Sequence, residues 1–115
     1  MTKQQLTEEN KEWLQRLPDT LNFGDFAAVH GAPKNHNTYL FTWEDASPFL
    51  YFFEEQNTNL CFHGHTHIPV IISSDGSYST DENGRFNIKR GKVYFINPGS
   101  VGQPRDSDPR AAFGI

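Results

Sequence analysis

Three short apolar runs in this chain end alike. "AAVHG" stops at His30–Gly31, "LCFHG" stops at His63–Gly64, and "VYFINPG" stops at Asn97–Pro98–Gly99. Apolar runs this short, bounded by turn-forming residues, read as strands rather than helices. About thirty residues with a helix-like segment lie between the first two, the length of a crossover joining parallel strands. If these strands are parallel neighbours, their carboxyl ends lie side by side, where open α/β sheets place their ligands. His30, His65 and His67 would then converge on one rim.

The other segments arrange around that sheet. In "LTEENKEWLQRLPD", Thr7 caps a helix and Glu8 and Glu9 put acid in its first turn. Trp13, Leu14 and Leu17 share one face, and Pro18 ends the helix. The first strand is expected over residues 26–29 and the second over residues 60–62. Ser47 and Pro48 suit a helix start, which predicts a helix over residues 48–56. Its run "FLYFF" reads as a core face rather than a base-stacking platform. Beyond the histidines the pattern becomes hairpins, with Asp75–Gly76 after "PVIIS" and Asn83–Gly84 before the strand-like "RFNIK". A strand over residues 92–96 follows Arg90–Gly91, and "RAAFGI" reads as a last strand. The expected class is α/β, of the α+β sandwich type, with a mixed sheet and β-hairpins.

With 115 residues the chain fits one domain, and ten Phe, four Tyr and two Trp give its core bulk. A net charge of −4 argues against a non-specific nucleic-acid surface, which needs clustered Lys and Arg. The single cysteine, Cys61, excludes an internal disulfide and is expected to be a buried, inert thiol. No apolar stretch approaches the ~20 residues of a membrane span, and "MTKQQLTEEN" does not read as a signal peptide. The expectation is a cytoplasmic protein.

Three of the five histidines, His63, His65 and His67, stand at alternate positions in "FHGHTHIP". Imidazole is the commonest nitrogen ligand of divalent transition metals, and alternate residues of an extended segment can face the same side. Gly64 allows a tight turn, Thr66 offers a hydroxyl to hold a neighbour, and Pro69 stiffens the exit. That spacing points to a metal site.

Together "HGHTHIP", "AVHGAP" and "INPGSVGQPRDSDPRAAF" resemble the C-terminal half of the calcineurin-like metallophosphoesterases, closest to their small bacterial and archaeal branch. The opening helix resembles one from that branch too, so the likeness covers essentially the whole chain. It implies the C-terminal half of a four-layer αββα fold and a single partial domain over residues 1–115. Family members hold two metal ions and hydrolyse phosphate mono- or diesters with an activated hydroxide. Carried onto this sequence, His30 and His65 would ligate one ion and His67 the other. His63 falls where the family usually has an apolar residue, so no ligand role is carried onto it.

The family's Asp-x-His, Gly-Asp and Gly-Asn-His motifs have no counterpart here, since Gly24–Asp25 precedes the "AAVHG" strand and is out of order. The expectation is therefore a piece of a larger enzyme, inactive alone, that binds at most one ion. Mn, Fe, Zn and Ni all suit nitrogen ligands. The expected partners are a phosphate-ester substrate and either an N-terminal half or another copy at an exposed sheet edge. Asn97, Ser100 and Arg105 are candidate substrate contacts, with loop-shaping or salt-bridge roles as alternatives. Asp106 and Asp108 would pair with Arg105 and Arg110, and His36 is either a substrate contact or an exposed loop residue. Two other functions compete: a non-catalytic protein-binding module of the same fold, and an unrelated small metal-binding protein. The latter leaves "NPGSVGQPRDSDPR" unexplained.

Overall fold

The computed structural model describes residues 3–115. A 3-10 turn, Lys3–Gln5, leads into helix α1, Glu8–Gln15. Thr7 caps α1 by accepting a hydrogen bond from Asn10 N through its hydroxyl, as its place before Glu8 and Glu9 predicts. The apolar face of α1 stays open to solvent, with Trp13 61% and Leu14 45% exposed.

Six strands form one mixed sheet in the order β1-β2-β3-β6-β4-β5. They are β1 Thr20–Asn22, β2 Ala27–Val29, β3 Leu60–Phe62, β4 Val70–Ser73, β5 Gly76–Tyr78 and β6 Tyr94–Asn97. β2, β3 and β6 are parallel neighbours, the arrangement under which their carboxyl ends share one rim. Between β2 and β3 the chain forms α2, Trp43–Ala46, a 3-10 turn Ser47–Phe49, and α3, Tyr51–Gln56. Thr42 and Asp45 form a reciprocal capping box at the start of α2.

Three expectations are corrected, and one strand was not expected. The helix expected over 48–56 starts at Tyr51, because Pro48 opens a separate 3-10 turn. "RFNIK" is not a strand: Asp81 Oδ1 accepts from Asn83 N and Arg85 N, and Phe86 turns its ring onto Tyr94. "RAAFGI" also forms no strand, since its backbone makes a single bond to the rim, from Ala112 N to Ser100 O. The sequence reading missed β1, which pairs antiparallel with β2 and is pinned by Asn22 Nδ2 donating to Gln56 O.

The two faces of the sheet differ. On one, Ala27, Cys61, Phe95 and Ile72 lie in register under Phe52, Phe53, Leu40 and Ala46, which form the core. Burial pushes the Cys61 thiol up to about 12, so it is unreactive, as its apolar run predicts. On the other face Leu21, Ala28, Phe62 and Ile96 lie in register but are only partly covered. Among the described residues no helix is long and apolar enough to cross a membrane.

Candidate metal centre

Because β2, β3 and β6 run parallel, their carboxyl ends bring His30, His63–Gly64 and Asn97 to one rim. Gly64 N donates to His30 O at 2.7 Å and His63 N donates to Ile96 O at 2.9 Å, so the three tips are tied together. Beyond Gly64 the chain turns sharply, with Thr66 N donating to Gly64 O. His65 and His67 both take left-handed backbone angles, φ 72 and 61. Such angles cost a residue with a side chain about 1 kcal/mol or more, and persist only where the surroundings impose them. Here the buried Thr66 and Asn97 impose them. Asn97 Nδ2 donates to Thr66 Oγ1 at 2.8 Å and to Gly64 O at 3.2 Å. Thr66 Oγ1 also accepts from Ile68 N.

The rim sets the imidazoles at defined angles. His30 Nε2 and His65 Nδ1 lie 3.2 Å apart. His65 Nε2 donates to the Asn37 carbonyl at 3.2 Å, so in the neutral ring Nδ1 carries the lone pair and His30 Nε2 donates to it. His67 Nδ1 donates to Gln103 O at 2.7 Å, which leaves its Nε2 with the free lone pair. A ring N–H bonded to a backbone carbonyl is the usual support of a metal-binding imidazole. Tyr39 stacks on His65 with centroids 4.1 Å apart and an angle of 14° between planes. Asn37, Tyr39 and Gln103 are sites the sequence reading missed, because a backbone carbonyl and a stacked ring carry no motif.

This donor set fits one ion in part. Metal–nitrogen bonds of about 2.0–2.1 Å place two imidazole nitrogens on a tetrahedral ion about 3.3 Å apart, close to the separation seen between His30 and His65. Burial, then the nearby His65, His36 and His67, hold the His30 pKa below its usual value and keep it neutral, the form a ligand needs. Among the described residues no three His, Cys, Asp or Glu side chains converge as a metal-binding group.

The remaining candidates fall as follows. Ser100 Oγ accepts from Gln103 N, and Arg105 N donates to His67 O, so both belong to the loop that orients His67. The Asn97 amide is buried and engaged beneath the rim, with its Oδ1 accepting from Gly99 N. Arg110 takes Asp108 as its ion-pair partner. His36 is exposed, but its carbonyl packs on Gly31, where an added Cβ would lie 2.5 Å from it. His63 points into the core beside Phe95, and neither of its ring nitrogens has a hydrogen-bond partner. A broad depression lined by Asp25, Asn59 and Lys92 opens at the opposite ends of the parallel strands and contains no histidine.

The family description "Calcineurin-like phosphoesterase superfamily domain" matches residues 4–115. An uncharacterized protein of Methanocaldococcus jannaschii is 31% identical over 118 residues, covering 99% of this chain and 46% of its own. The crystal structure of a metallophosphoesterase from Sphaerobacter thermophilus superposes with a TM-score of 0.73 at 34% identity, covering 94% of this chain and 45% of that one. The chain therefore spans about half the length of either relative.

Proposed function

Since this chain belongs to the calcineurin-like phosphoesterase superfamily, we propose that it forms the histidine-bearing part of a metal-dependent phosphoesterase. The observation that carries this reading is the 3.2 Å approach of His30 Nε2 to His65 Nδ1 at the ends of two adjacent parallel strands. That separation would suit two nitrogens of one divalent ion once the His30 proton moves from Nε2 to Nδ1, and His67 Nε2 carries a lone pair for a second. A bound ion supplies Lewis-acid polarisation of a phosphoryl oxygen and a more acidic water.

The chain's own residues fix the ligands. Asn97 and Thr66 hold the turn from below, and the Gln103 carbonyl orients His67 from the side. Arg105, whose backbone N donates to His67 O, is the side chain we assign to a phosphate of the substrate. The Ser100 hydroxyl stands in the same loop. Asn97 shapes the rim instead of touching the substrate, because all of its polar atoms are spent internally.

Three neutral imidazoles bring no negative charge, so a complete two-ion site needs carboxylates from outside these residues. We therefore read the chain as one part of a domain, inactive on its own. The partly uncovered apolar sheet face supports a second reading, a non-catalytic module that binds protein through that face.

Titration with Co²⁺, followed by visible absorption and calorimetry, tests the first reading. Stoichiometric binding that His65→Ala abolishes is expected, together with no hydrolysis of a chromogenic phosphodiester in Mn²⁺. Absence of binding, or binding indifferent to His65→Ala, would sink the metal assignment.

A further inference from the structure

The geometry points to residues 31–41 as an orienting bracket for His65, with Tyr39 as its positioning residue. This rests on the metal-site reading above and adds the group that sets the ligand's direction. Two restraints act on the His65 ring from one three-residue stretch. Asn37 O accepts from Nε2, and the Tyr39 ring lies flat on the imidazole at 4.1 Å. A single hydrogen bond favours the Nε2–H tautomer only while the ring stays in line with the carbonyl, and by itself it lets the ring swivel out of line. The stacked phenol blocks that swivel. Together they leave Nδ1 aimed at His30 Nε2.

The bracket is itself anchored at both ends. Gly31 follows His30, and a Cβ there would lie 2.5 Å from His36 O and 2.7 Å from Thr38 O, so the loop rests directly on the His-Gly turn. At the other end Leu40 is fully buried in the core. Its neighbours Tyr39 and Phe41 stay 42% and 45% exposed and stack on one another, with centroids 5.9 Å apart and planes 17° from parallel. The exposed ring pair thus continues directly into His65, and its cost in exposed apolar surface is matched by the orientation it gives a ligand. Groups that orient a metal ligand in this way change affinity by about 10–100-fold when removed.

The test compares Tyr39→Leu with Tyr39→Phe in the whole chain, with Tyr39→Gln as a second ring-free variant should the leucine form fold poorly. Nitrogen-15 NMR of the His65 ring, in metal-free protein, reads the tautomer. Co²⁺ titration reads affinity. The expected result is a fixed Nε2–H tautomer in wild type and Tyr39→Phe, mixed tautomers in the ring-free variants, and at least tenfold weaker Co²⁺ binding that phenylalanine rescues. Unchanged tautomer and affinity within twofold in a folded ring-free variant overturns the bracket. If wild type binds no Co²⁺, the metal reading falls, and the tautomer measurement alone then decides the bracket.

Discussion

Asn97 Nδ2 donates to Thr66 Oγ1 at 2.8 Å, and both side chains are buried. That one bond ties the end of β6 to the middle of the His65–Thr66–His67 turn. It explains how two histidines are held at left-handed backbone angles that an isolated peptide would leave.

Asn97→Ala removes the donor to Thr66 and Gly64 and the acceptor for Gly99 N. Stranded buried polar groups cost about 1–3 kcal/mol each, and neighbouring losses are not additive, so a drop of about 2–3 kcal/mol in unfolding free energy is expected. Urea denaturation measures it. Co²⁺ affinity should fall as well, because the turn relaxes. A variant as stable as wild type would show that the turn holds itself.

His63 gives the opposite sign. Both ring nitrogens are buried without partners, so the imidazole carries a desolvation penalty that an apolar side chain avoids. His63→Leu is expected to keep or raise stability near neutral pH, by up to about 1 kcal/mol, and to leave Co²⁺ binding intact. A large loss of stability would reveal a partner for the ring.

The same residue predicts a pH dependence. Burial lowers the His63 pKa from 6.5 to about 4, partly offset by the nearby Gly64 backbone. Between those values the unfolded chain takes up the proton and the folded chain does not. The contribution is therefore present above the unfolded value and lost as pH falls toward the folded one. A bound cation would push the pKa further in the same direction. In chelator, the urea midpoint should drop between pH 7 and pH 5 in wild type, and drop less in His63→Leu.

Gly31 and Gly64 follow equivalent histidines but differ in what surrounds them. A Cβ at Gly31 would lie 2.5 Å and 2.7 Å from two backbone oxygens, whereas one at Gly64 finds nothing nearer than His30 O at 3.6 Å. Gly31→Ala is expected to cost about 1–3 kcal/mol, through forced loop movement, and Gly64→Ala less than about 1 kcal/mol. Thermal melts of the two variants check the contrast. Equal losses would mean that the loop at 36–38 yields freely.

The parallel strands were legible because each apolar run meets a turn residue at the rim, and their ends alone brought His30 and His65 to adjacent positions. β1 was not legible. "TLN" has no apolar alternation, and only its pairing to β2 and the reach of Asn22 to Gln56 make it a strand. "RFNIK" misled in the other direction: it has strand composition, but the Asp81 turn and the demand of Tyr94 for a covering ring draw Phe86 out of extended pairing. The bracket on His65 was invisible for a third reason. Asn37 acts through its backbone carbonyl, which every residue has.

The unequal sheet faces predict self-association. Phe26 and Phe62 meet edge to face at 5.3 Å and Phe23 stacks on Phe26 at 4.8 Å, forming an apolar strip beside Leu21. Leu21 is 45% and Phe23 56% exposed, whereas residues of α2 and α3 pack over the opposite face. Apolar sheet faces are stable when another layer covers them, and a second copy of the chain offers a matching layer. Sedimentation velocity over a range of concentrations is expected to show a monomer–oligomer equilibrium. Leu21→Glu with Phe23→Glu should shift it toward monomer, because two carboxylates on each strip oppose close packing of the sheets. The histidine rim lies at the strand ends rather than on this strip, so Co²⁺ binding should survive the double change. A concentration-independent monomer in wild type would show that α1 or the terminal segments shield the strip in solution.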